Sequence, residues 1–203
     1  GEILVQNHCY RADEMAMMIE MSKEFDYKIT AFHHAVEAYK IADLLADEGI
    51  CGALWADWWG FKHEAYDMVP ANIAIVDQAR GGKGCAIVHS DDEVGIQHLN
   101  QEAAKALSAG LRAGYEISKA RAIKWITSNP AKAAGILDQT GTIEIGKDAD
   151  LVIWSKNPFS VYALAEYVFI DGAEAFVRGE KQTQPVTDFD LGIINPSDER
   201  ASL

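Results

Sequence analysis

Four places in this 203-residue chain set a metal-compatible or proton-carrying side chain directly after a short apolar run. His8 follows "ILVQN", His33-His34 follows "YKITAF", Asp57 follows "CGALWA", and His89-Ser90-Asp91-Asp92 follows "GCAIV". Neutral imidazole nitrogen and carboxylate oxygen both ligate zinc and similar divalent ions, at about 2.0–2.2 Å. Water on such an ion falls from a pKa near 15.7 towards about 7, and a neighbouring carboxylate can then carry its proton to a leaving group. On this pattern Asp91 ends an apolar strand because a cation or an activated water needs it there. A competing duty exists, since an aspartate after a strand also caps the next helix. Asp92 or Glu93 is expected to do so for the segment that starts near Val94.

The elements that must hold these groups alternate between two periodicities. "ILVQNH" (3–8), "YKITAFHH" (27–34), "CGALWAD" (51–57) and "CAIVHSD" (85–91) read as strands. Helical stretches follow each: 12–25, with Met15, Met18, Ile19 and Ser22 on one face; 37–49, stopped by Gly49; one opening near Pro70; and 99–111. Four β-then-α units argue for parallel strands with right-handed crossovers, an α/β class, and a unit length of about 25 residues fits a (β/α)8 barrel. In such folds ligands bind outside the carboxyl ends of the strands, where the four polar positions lie. Beyond residue 111 the pattern changes. Residues 116–136 read as two helices broken at Asn129-Pro130. Residues 141–155 and 166–180 are strand-like, the second pair hinged at Asp171-Gly172. The division is therefore 1–136, 137–180 as a small β portion, and 181–203 as an extended tail.

Composition narrows the partners. With 18 Lys+Arg against 31 Asp+Glu, the formal net charge is -13 and the basic residues are scattered, which speaks against nucleic acid or an anionic membrane. No apolar run is long enough to span a bilayer. Cys9, Cys51 and Cys85 each sit by an apolar run and are expected to be buried free thiols. The chain opens inside an element, so its true beginning is expected to lie upstream; the compartment, cytoplasmic or periplasmic, is left open.

The stretches "VQNHCYRADEM", "FHHAVEAYKIADLLADEG", "VHSDDE", "LNQEAAKA", "WITSNPAKAAGI" and "GTIEIGKDADLVIW", in that order, resemble the carboxyl-terminal half of metal-dependent amidohydrolases, especially the imidazolonepropionase-like and prolidase-like branch. The resemblance covers residues 1–180. It implies half of a (β/α)8 TIM-type barrel with part of a small β-sandwich, and hydrolysis of a C–N bond in a cyclic amide, dipeptide or acyl-amino acid. It places metal ligands on His8, His34 and Asp91, with Asp91 also the general base, and one or two divalent ions, zinc foremost. His33 stands where the family often has glutamate. Tyr10 and Arg11 follow the first ligand, and Arg11 could clamp a substrate carboxylate.

The family's first-strand histidine pair and its bridging fourth-strand ligand have no counterpart here. The isolated chain is therefore expected to be inactive, and to pair with its missing half or with a second copy through two open sheet edges. Its inner face, with Val5, Ala31 and Ala53, is expected to be uncovered. "WADWWGFKHEAYD" crowds Trp55, Trp58, Trp59, Phe61 and Tyr66 into one loop. Trp58 and Trp59 are candidates to wall a substrate pocket, while Lys62 and His63 are expected to be solvated. Two other readings stand beside the hydrolase: a doubly wound regulatory domain, and a non-catalytic binding or assembly module built on a barrel remnant.

Overall fold

The computed structural model describes residues 1–180; the tail expected at 181–203 lies outside the described residues. Four βα units form the first layer pair: β1 (Val5–Cys9), α1 (Ala12–Glu24), β2 (Ile29–His34), α2 (Ala42–Glu48), β3 (Cys51–Leu54), α3 (Asn72–Gly82), β4 (Cys85–Val88) and α4 (Leu99–Arg112). All neighbours pair in parallel in the order β1-β2-β3-β4, so each crossover steps to the adjacent strand. The expected α/β class is what the chain adopts.

Strand periodicity splits the side chains into two sets. Phe32, Leu54 and Val88 face the helices and join Ile19, Ile73 and Trp125 in the main core. Burying each contributes roughly 1.5–3 kcal/mol. Gly84 lets α3 lie tight on the start of β4, because a Cβ there would sit 1.7 Å from the Val76 carbonyl oxygen. On the opposite face Ala31, Cys51, Ala53, Cys85 and Ile87 are buried too. This corrects the expectation of an uncovered inner face. The cover comes from α6 (Ser128–Ala134), whose Ala133 packs into that cluster. Val5 belongs to the helix side instead, packed against the main core.

The segment before α6 breaks earlier than expected. α5 (Lys119–Ala122) runs into a short 3-10 turn, and the interruption falls at Thr127 (φ -133°, ψ -91°) rather than at Asn129-Pro130. Pro130 then occupies the first turn of α6, where its missing N–H removes no helical bond. The Asn129 side chain donates to the Ala86 carbonyl at 2.7 Å and so occupies part of the free edge of β4. The β portion is an antiparallel sheet of β5 (Leu151–Trp154), β6 (Ala165–Ile170) and β7 (Ala173–Val177), with the turn at Asp171-Gly172 where the sequence placed it. Asp150 ties that hairpin down: its carboxylate accepts from the Asp171 N–H at 2.9 Å and the Thr140 hydroxyl at 2.7 Å.

The cysteines depart from expectation. Cys51 and Cys85 form a disulfide, leaving Cys9 as a buried free thiol. The reason is register: the two residues face each other across the β3–β4 pair with Cα atoms 4.5 Å apart. Burial, and then the charge of Glu14, push the Cys9 thiol up to about 11, so it stays protonated at pH 8. Thiol titration should therefore find almost no reactive cysteine in the native chain at pH 8. One should appear on denaturation and three after reduction; three in the denatured, unreduced chain would count against the bridge.

Candidate functional site

Strand alternation alone would send His33 and His34 to opposite faces of the sheet. His33 pairs in register with His8 and stacks on it, ring centroids 5.0 Å apart. His34 reaches the same mouth because the backbone turns left-handed there, with φ 65° at His34 and 37° at Ala35. That conformation costs a non-glycine residue on the order of 1–3 kcal/mol and persists only when its surroundings enforce it. Two sets of bonds do so. The Ala35 N–H donates to the Cys9 and His33 carbonyls at 2.9 and 2.8 Å. The buried Asn72 amide, at the start of α3, donates to the Ala35 and Val36 carbonyls, both at 3.1 Å.

The consequence is a convergence of imidazoles. His8 Nδ1 and His34 Nε2 lie 2.8 Å apart. His34 Nδ1 is buried without a hydrogen-bond partner, and the nearest carboxylate oxygen is Asp91 Oδ2 at 3.7 Å. Asp91 also has left-handed backbone, φ 52°, just beyond the end of β4. Asp92 takes the capping role expected of it, its carboxylate accepting from the Gly95 N–H. Burial lowers the pKa of His34 to about 4 and that of His89 to about 3, the latter also through repulsion by His34, His33 and His8. Both rings are neutral at pH 7, with lone pairs available.

Aromatic rings floor and wall this mouth. Tyr10 stacks on His34 at 4.9 Å. Trp55, 3% exposed, packs on His34 at 4.6 Å and stacks on His89 at 5.3 Å. Trp58 continues the stack from Trp55 at 5.8 Å. Trp59 does not join it: it is 58% exposed and has no aromatic partner among the described residues. Arg11 turns away, its guanidinium bonded to Asp13 at 3.0 and 2.8 Å. Asp57 is engaged by the Lys105 ammonium at 3.0 and 2.9 Å. His33 donates from Nε2 to Gln6 Oε1 at 2.7 Å.

His89 and Trp55 were placed by sequence at a strand end and in the aromatic loop but given no role, and Asn72 was not singled out. His89 carried the available signal, sitting two residues before Asp91. Trp55 reads as one more aromatic in a crowded loop, and Asn72 as an ordinary residue near a helix start.

Among the described residues no group of three or more His, Cys, Asp or Glu side chains surrounds one point suited to a metal ion. The donor chemistry nonetheless fits one. Two imidazole nitrogens, His8 Nδ1 and His34 Nε2, face each other, the His34 ring is held neutral by burial, and the partly exposed Asp91 carboxylate lies on the other, Nδ1, side of that ring.

A parallel α/β sheet with imidazoles and a carboxylate gathered at its carboxyl-terminal rim defines a protein with a metal-compatible rim site. The chain belongs to the amidohydrolase family, whose sequence pattern matches residues 77–185. The amidohydrolase tasK of Hapsidospora irregularis is 32% identical over an alignment that covers 93% of this chain and 20% of that protein. The crystal structure of an amidohydrolase from Thermotoga maritima MSB8 superposes with a TM-score of 0.76 at 32% identity, over 87% of this chain and 44% of that one. An adenosine deaminase from Xanthomonas campestris, solved with bound Zn, shares the fold at a TM-score of 0.63 and 17% identity, over 91% and 48% of the two chains. The chain thus spans a fifth of the curated relative and under half of each solved neighbour.

Proposed function

We propose that this chain forms the carboxyl-terminal half of a (β/α)8 barrel, with part of a β-sandwich, in a metal-dependent hydrolase of C–N bonds. The substrate would be a small molecule: a cyclic amide, a dipeptide or an acyl-amino acid. The observation that carries this reading is the approach of His8 Nδ1 to His34 Nε2 at 2.8 Å, with the Asp91 carboxylate 3.7 Å from the other nitrogen of the His34 ring. His8 and His34 would hold a divalent ion, zinc foremost, with Asp91 as a further ligand or as the base. Such an ion, when bound, polarises a carbonyl and acidifies water. Asp91 takes the proton of the attacking water and passes it to the departing nitrogen. Tyr10 and Trp58 bound the space in which the substrate lies, Trp59 and Arg11 its outer margin. Turnover is proposed for the barrel once completed by further strands at the open edge of β1, from the rest of a longer protein or from a second copy.

Zinc retention tests the ligand assignment. After dialysis, His8→Ala and His34→Ala are each expected to weaken zinc binding by roughly tenfold or more, measured by competition with a chelator. Unchanged retention in both variants would remove the two histidines from the metal site. The alternative is a non-catalytic binding or assembly module built on a barrel remnant, for which the described residues hold two facing imidazoles without a third converging donor. That reading predicts that chelator leaves every measured property of the protein unaltered.

A further inference from the structure

The aromatic loop carries a cation whose position the hydrolase chemistry does not use. The Lys62 ammonium lies 4.2 Å from the centroid of the Tyr10 ring and 5.4 Å from that of Phe61, and it hydrogen-bonds the Tyr10 hydroxyl. Tyr10 in turn stacks on His34, so the ammonium stands at the lip of the mouth. Among the described residues Lys62 forms no ion pair. The neighbouring cations do: Arg11 is matched by Asp13, Lys40 by Glu37 and Asp67, and Lys105 by Asp57 and Glu102. What sets Lys62 apart from these neighbours is its place: an unpaired ammonium over Tyr10 and beside Phe61, at the mouth where Tyr10 stacks on His34. It was expected to be merely solvated; it is exposed, but docked.

The donor geometry defines what would satisfy it. An ammonium has three N–H donors and no acceptor, and it spends one on the phenol oxygen. Receiving that bond leaves the Tyr10 O–H free to donate elsewhere. Two donors of different residues, side by side and one of them charged, match the two oxygens of a carboxylate. The adjoining wall of Trp55, Trp58 and Phe61 offers apolar surface to the rest of the molecule.

We infer that Lys62, with the Tyr10 hydroxyl, is the specificity-determining pair that recognises a free carboxylate on the substrate, and so selects N-acyl-amino acids or dipeptides over neutral amides. This rests on the rim being a hydrolase site, and it adds the substrate class. The test compares N-acetyl-L-phenylalanine with its carboxamide, two probes of nearly one shape that differ in charge. Binding of each to the metal-loaded protein with its barrel completed is measured by calorimetry, and hydrolysis of each by that completed barrel is followed separately. The unaltered protein is expected to prefer the free acid. Lys62→Met should cut the acid-to-amide affinity ratio by about ten- to a hundredfold, the scale of a hydrogen bond to a charged group. Lys62→Arg should keep most of that ratio, which a merely structural role for the side chain would not explain. An unchanged ratio in Lys62→Met, or no binding of either probe to the unaltered protein, would overturn the assignment. Discrimination without hydrolysis would leave Lys62 in place and sink the hydrolase reading instead.

Discussion

In the completed, metal-loaded barrel, Asp91→Asn is expected to lower the proposed turnover by roughly 10²–10⁴-fold, the usual share of a general acid–base group, while leaving the fold intact. The two halves of that statement have separate grounds. Asparagine has the size of aspartate, and it is among the few residues that tolerate the left-handed backbone Asp91 adopts at φ 52°. Circular dichroism and the thermal midpoint should therefore barely move. An amide, however, cannot take a proton from water, and among the described residues Asp91, 3.7 Å from His34 Nδ1, is the carboxylate paired with that ring. Alanine would be a poorer probe, because it would strain the turn as well as remove the base. Near-normal turnover in Asp91→Asn would show that the proton leaves by another route.

The positions of these groups were legible in the sequence because each strand is an apolar run that stops on a polar residue. That pattern gives His8, the His33-His34 pair, Asp57 and residues 89–92, from which the family resemblance selects His8, His34 and Asp91, and parallel order brings the strand ends to one rim. The approach of His34 to His8 was not legible. It depends on two left-handed residues, neither a glycine, and on a buried Asn72 reaching over from another unit. The disulfide was hidden for a similar reason: residues 51 and 85 meet only if β3 and β4 pair in one particular register. The covering of the inner face by α6 is a tertiary choice, since an alanine-rich segment carries the same helical signal wherever it packs. Lys62 looked like any loop lysine because its meaning lies in Tyr10, fifty-two residues away.

The largest loss of stability is expected from Asp77→Ala. Asp77 is fully buried in α3, and its carboxylate accepts from Arg121 Nε at 2.8 and 3.0 Å, from Trp125 Nε1 at 2.8 Å and from Gln78 Nε2 at 2.6 Å. Arg121 also caps the end of that helix, donating to the Asp77 and Gly82 carbonyls at 3.0 and 2.7 Å. Removing the carboxylate leaves a largely buried guanidinium and an indole N–H without acceptors, at a cost of about 3–5 kcal/mol. For a chain of this size that is a fall of about 6–20 °C in Tm. Asp77→Asn keeps an acceptor for Trp125 but not the charge for Arg121, and should lose less. Urea unfolding with an unchanged slope would measure both, and a loss below about 1 kcal/mol in Asp77→Ala would refute the pair's importance. The effect should also reach the mouth. α3 carries Asn72 at its start and Asp77 one turn further on, so loosening the helix from Trp125 frees the amide that holds the turn after His34. Zinc affinity in Asp77→Asn should accordingly fall, although no atom of Asp77 touches the imidazoles.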